Sequence, residues 1–146
     1  MRALLDVNVL IALLDAGHLH NRLANEWLTR ELASGWASCP LTQNGCLRIL
    51  SQPAYPGAQP VALVAERLAE AMTHASHMFW PDSLSLLDRS LINWPNLTGH
   101  RQVTDVYLLA LAVKQGGRFV TFDARISLAT VANARPEHLV LLGAQG

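Results

Sequence analysis

Short apolar runs alternate with longer stretches of helical spacing, and this alternation constrains the fold more than any other feature. Residues 3–6 (ALLD), 36–40 (WASCP), 77–81 (HMFWP), 118–122 (RFVTF) and 138–142 (HLVLL) have the length and composition of strands. ALLD is apolar at consecutive positions, as a strand covered on both faces of a parallel sheet must be. Between these runs, VNVLIALLDAG predicts a helix ended by Gly17. Residues 18–34 place Leu19, Leu23, Ala24, Trp27, Leu28 and Leu32 on one helical stripe that stops at Gly35. Helical spacing resumes from Thr42 through Cys46, Ile49 and Leu50, although Gly45 weakens it.

Residues 52–60 (QPAYPGAQP) hold three prolines and a glycine and predict a loop. Val61, Val64, Leu68 and Met72 align on an amphipathic helix over residues 61–75. SLLDRSLINWP, 85–95, predicts a short helix, and NLTGHRQ, 96–102, a polar loop. Thr104 is placed to cap a helix whose first turn holds Asp105 and which runs to about Gln115, before Gly116 and Gly117. Strands alternating with helices throughout imply one α/β sandwich domain over residues 1–146, with a mostly parallel sheet flanked by helices.

That architecture gives three scattered aspartates a common address. Asp6 ends the first strand and Asp123 the fourth, while Asp105 opens the helix between. In an open parallel sheet, ligand sites gather at the carboxyl ends of the strands, and the helices start on that same side. Each acid has an ordinary alternative, as a turn residue or a first-turn helix acid. Together they fall on one predicted rim. Clustered carboxylates raise one another's pKa, and a hard divalent cation relieves the repulsion. Mg²⁺ or Mn²⁺ suits oxygen ligands, activates water and neutralises charge on a phosphate under attack. Asn8, Thr104 and Thr121, each within two residues of an acid, are candidates to orient the ligands.

Composition narrows the classes. Eleven basic and eleven acidic side chains give zero net charge, which argues against an extended basic surface for nucleic acid but leaves room for a local site. Charged residues are only 15% of the chain, so an exposed apolar patch and a protein partner are expected. Cys39 and Cys46 have no metal-ligand spacing and read as reduced core residues of a cytoplasmic protein. The N-terminal apolar run is interrupted by Asp6 and Asn8, unlike a secretory signal, and no run is long enough for a membrane span. His18 and His20 lack a third nitrogen or sulfur ligand nearby and read as loop or helix-start residues. Trp27, Trp36, Trp80 and Trp94 read as core or interface residues before base-stacking platforms.

LLDVNVLIALLD, with its acid followed two residues on by Asn, resembles the opening motif of PIN-domain ribonucleases. TDVYLLALAVKQGGRFVTFD resembles their C-terminal half. HLHNRLANEWL, GWASCPLTQNGCLRILS and HMFWPDSLSLLD are similar to the VapC toxins of bacterial toxin–antitoxin pairs, so that the likeness covers nearly the whole chain. The resemblance implies a PIN-like three-layer sandwich and an endoribonuclease using Mg²⁺ or Mn²⁺. It implies tRNA or ribosomal RNA as target, a homodimer, and a VapB-type antitoxin as partner. By position, Asp6, Asp105 and Asp123 become the metal-site and catalytic acids, with Asp123 acting at a second metal or through water.

One departure concerns the helix after the second strand, where PIN domains commonly carry a glutamate. Here PLTQNGCLRIL holds no acid. Gln43 is the first match and Asn44 the next, and an amide brings no charge. Three acids in place of four imply weaker metal binding. Arg48, His100, Arg101 and Arg125 are the candidates to contact RNA phosphates, with solvated surface residues as the alternative. Two other classes remain in view. One is a PIN-like module that binds RNA or antitoxin without cutting. The other is a phosphoryl-accepting domain, which would want paired acids at the first strand and a lysine near the last, whereas Lys114 lies mid-helix.

Overall fold

A computed structural model describes residues 1–143. Five strands, β1 (Ala3–Leu5), β2 (Trp36–Ser38), β3 (His77–Phe79), β4 (Arg118–Thr121) and β5 (Leu139–Leu141), form one sheet in the order β3-β2-β1-β4-β5. Every pairing is parallel, with Leu4 opposite Ala37 on one side and Phe119 on the other. The chain steps outward from β1 to β3 and then crosses back to place β4 on the other side of β1. The strand order therefore reverses between β1 and β4, which in open α/β sheets opens a crevice above the strand ends.

Successive strand residues face opposite sides, and the core divides accordingly. Ala3, Leu5 and Val120 pack with α1 (Val7–Leu14), α2 (Asn21–Glu31), α3 (Pro40–Leu50) and α4 (Val61–Met72). Leu4, Ala37 and Phe119 pack on the other face against α5 (Val103–Lys114) and the segment around Ile92 and Val131. The expected three layers follow. Three of the four tryptophans, Trp27, Trp36 and Trp80, are buried, as are both cysteines, which are free thiols. Among the described residues no helix is long and apolar enough to cross a membrane.

Several local expectations are corrected. Residues 85–95 form turns and a single 3₁₀ turn at Trp94–Asn96 in place of a helix. Asp88 Oδ1 accepts from the Ser90 N–H at 2.9 Å and its hydroxyl at 2.6 Å, and such local side-chain bonds compete with helical ones. Leu86 and Leu91 of this region, with Leu84 before it and Leu97 after it, still pack on the core. Thr104 does not cap α5: the helix starts at Val103, directly continuing a 3₁₀ turn at His100–Gln102, with Gln102 in the cap position. Leu19 is 88% exposed and lies before α2, so it does not join the stripe. α3 starts two residues earlier than expected, with Pro40 in its first turn, where the missing N–H costs nothing. Gly45 is explained by packing: a Cβ there would stand 2.7 Å from Val7 Cγ2, so glycine lets α3 close on the start of α1.

Candidate functional site

Asp6 leaves β1 in extended conformation and caps α1, its Oδ1 accepting from the Val7 N–H at 2.7 Å. Its Oδ2 accepts from the Thr121 hydroxyl at 2.6 Å. Thr121 ends β4 and is fully buried, and its Oγ1 also accepts from the Asp123 N–H at 3.1 Å. One hydroxyl therefore joins the carboxyl ends of β1 and β4 at the point where the strand order reverses. Asp105 projects from the first turn of α5 onto the same rim, near enough to feel the charges of both Asp6 and Asp123.

The electrostatics follow from that crowding. Burial raises the Asp6 pKa, the Thr121 and Val7 hydrogen bonds oppose the rise, and the Asp123 charge adds to it. Asp105 is pushed up to about 7, first by burial and then by the negative charges of Asp6 and Asp123. Asp123 moves the other way, because the Arg125 side chain grips it in a two-point ion pair. Arg125 Nε donates to Oδ1 at 3.0 Å and Nη2 to Oδ2 at 2.8 Å. The rim thus holds an acid, Asp105, that is half protonated near neutrality in the absence of a cation.

Hard oxygen donors that repel one another are what a divalent cation requires. Among the described residues no three acidic, histidine or cysteine side chains are already arranged as a closed ligand set. Asp6 is turned to Thr121 and Val7, and Asp123 to Arg125. Three carboxylates on one rim are the donor chemistry that a hard cation takes.

The other expected residues divide. Arg125 is beside Asp123, and Gln102 Nε2 donates to the Arg125 carbonyl at 3.2 Å, tying the exposed His100 and Arg101 turn to that segment. Asn8 is exposed on the first turn of α1 and Thr104 on that of α5. Gln43 Nε2 donates to Ser38 Oγ at 3.0 Å, and Ser38 in turn bonds His77 Nε2 at 2.8 Å. Gln43 and Asn44 line a groove facing Leu68 and Met72 of α4. Arg48 is exposed in the last turn of α3, about 12 Å along the helix axis from its start at the rim. A cavity of about 510 Å³ lined by Asp88, Lys114 and His138 contains none of the three acids.

Phe122 stands between Thr121 and Asp123, and nothing in its spacing or polarity marks it in the sequence. The Phe122 ring stacks on His20, with centroids 4.8 Å apart and 28° between planes, which brings the start of α2 to the rim.

Residues 3–132 match the PIN-domain family. Ribonuclease VapC44 of Mycobacterium tuberculosis is 50% identical to this chain, over 97% of it and 100% of the relative. Ribonuclease VapC39 of the same organism is 43% identical over 87% and 92% of the two chains. The crystal structure of M. tuberculosis VapC20, a sarcin–ricin loop cleaving toxin, superposes with a TM-score of 0.57 at 18% identity, covering 92% of this chain and 99% of that one. The fold is therefore shared with a solved PIN-type toxin, and by sequence the chain belongs to the VapC branch of the PIN-domain family.

Proposed function

We propose that the chain is the toxin of a toxin–antitoxin pair, a Mg²⁺- or Mn²⁺-dependent endoribonuclease that hydrolyses phosphodiesters of tRNA or ribosomal RNA. The observation that carries this reading is the meeting of Asp6, Asp105 and Asp123 at the β1–β4 reversal, with Asp105 raised to about 7 by burial and then by the charges of the other two. Relatives named as ribonucleases over the length of the chain support it.

In this reading the three aspartates hold the cation, with Asp123 contacting it directly or through water. When bound, the cation supplies Lewis acidity toward the phosphate and lowers the pKa of water. The chain's own groups do the rest. Thr121 fixes the spacing of Asp6 and Asp123. Arg125, released from Asp123, turns to the phosphate backbone, with His100 and Arg101 beside it. In-line attack by water leaves a 3′-hydroxyl and a 5′-phosphate. A VapB-type antitoxin, homodimerisation and a cytoplasmic site of action complete the proposal. The exposed Phe79, Met78 and Val103 offer apolar surface for such partners.

A second reading has one observation in its favour. Gln43 is committed to Ser38 and α3 brings no acid, so a module that binds RNA without cutting is the alternative. Total bacterial RNA incubated with the antitoxin-free protein separates them. Discrete fragments that vanish with EDTA and with Asp6→Ala support the nuclease. A folded, metal-loaded wild type that leaves RNA intact supports the binding module.

A further inference from the structure

Beside the acids stands an aromatic pair to which the reaction assigns no part. Phe122 is joined by peptide bonds to Thr121 and Asp123, so its place on the rim is fixed by the same strand exit. His20 stacks on it at 4.8 Å. The turn that presents His20 is braced: the His20 N–H donates to His18 Nδ1 at 3.0 Å, and Asn21 Nδ2 reaches back to the Ala12 carbonyl at 2.7 Å. His18 stands 5.8 Å from His20 at 46°, tilted and not stacked. Leu19 between them is 88% exposed, so apolar surface borders the rings. Both His20 and Phe122 keep partial exposure.

The other aromatic side chains are committed elsewhere. Trp27, Trp36, Trp80 and Phe119 are buried, and Tyr55 hydrogen-bonds Asp15. Tyr107 packs against the α5 core. Arg89 lies over the Trp94 ring at 4.8 Å. Phe79 is 50% exposed, but β2 and β1 separate its strand from β4. Unpaired bases of RNA bind by stacking on aromatic and imidazole faces, and a base next to a scissile phosphate must lie within a few ångströms of the acids that act on it.

We infer that His20, backed by Phe122, is the stacking platform for an unpaired nucleobase flanking the scissile phosphate. The platform rests on the nuclease reading and deepens it: the substrate is single-stranded or looped where it is cut. His20 fixes the register of the strand and takes no part in proton transfer.

The test is binding of a single-stranded RNA decamer carrying 2-aminopurine, whose fluorescence is quenched by stacking, with Ca²⁺ present. The wild type quenches the probe. His20→Ala, checked for an unchanged melting temperature, binds about tenfold more weakly and quenches less, as loss of one base–aromatic stack predicts. His20→Phe restores both, and Leu87→Ala, at an exposed apolar side chain, changes neither. In cleavage, His20→Ala raises KM and leaves kcat within about twofold. Binding and KM of His20→Ala equal to wild type, or tight binding by wild type without quenching, overturn the platform. If the wild type cleaves total RNA while these outcomes fail, the nuclease reading stands alone; if it neither binds nor cleaves, both fall.

Discussion

Thr121 and Asp6 lie 115 residues apart in sequence and are joined by a buried 2.6 Å hydrogen bond. Because the same hydroxyl oxygen accepts from the Asp123 N–H, the bond sets the spacing of two acids on adjacent strands. Buried hydrogen bonds to a charged group contribute about 1.5–3 kcal/mol. Thr121→Val should therefore lower stability by about 2 kcal/mol and reduce RNA cleavage by at least tenfold. Thr121→Ser should recover most of both, read by thermal melting and initial rates.

Asp105 makes the metal-free fold pH-dependent. Its folded pKa of about 7 lies above the unfolded carboxylate value, so the folded state binds more protons between about pH 4 and 7. Stability contributed by protonated Asp105 is full below the unfolded pKa and is lost as pH rises to the folded one. In EDTA, the melting temperature should fall across that window and then level. Asp105→Asn should flatten the fall, raise the melting temperature at pH 8, and reduce cleavage by at least a hundredfold. Added Mg²⁺ should recover the wild type at pH 8 by binding only the folded state.

Arg125 competes with a cation for Asp123 and is also placed to meet phosphate. Arg125→Ala should move two quantities in opposite directions. The Mg²⁺ concentration for half-maximal cleavage should fall, because Asp123 is released. KM for RNA should rise several-fold, and the salt dependence of binding should lose about one phosphate contact. A variant that changes neither would show Arg125 to be a solvated surface residue.

Gly45→Ala tests the packing that seats Asp6. Alanine is favoured by about 1 kcal/mol in a helix interior, but its Cβ would stand 2.7 Å from Val7 Cγ2. Overpacking costs about 1–3 kcal/mol, so the net effect should be a lower melting temperature. The Val7 N–H holds Asp6, so cleavage should fall as well.

Much of this arrangement was legible in the sequence, for physical reasons. Doubly apolar runs such as ALLD suit a strand covered on both faces, and a strand-end acid is carried to the rim by the topology itself. Asp6, Asp105 and Asp123 were readable because they lie at element ends. The direction of the Gln43 side chain was not, since it depends on the Ser38 and His77 side chains across α3 and two strands. Residues 85–95 defeated the periodicity because Asp88 and Ser90 bond locally while nearby leucines insert singly. Thr104 lost the cap because the preceding 3₁₀ turn runs straight into α5. The His20–Phe122 stack joins residues 102 positions apart and leaves no spacing signal.

The claim that three aspartates form one cation site is tested most directly by calorimetric titration of Mn²⁺ at pH 6 in two buffers of different ionisation enthalpy. The wild type should bind Mn²⁺ and release close to one proton, because Asp105, with its pKa of about 7, must ionise to take part. The proton release should vanish at pH 8.5 and in Asp105→Asn, and Asp6→Asn should weaken binding by at least tenfold. Folded wild type that binds no Mn²⁺, or binds it unchanged in both variants, would contradict the account and leave the rim a polar sheet edge.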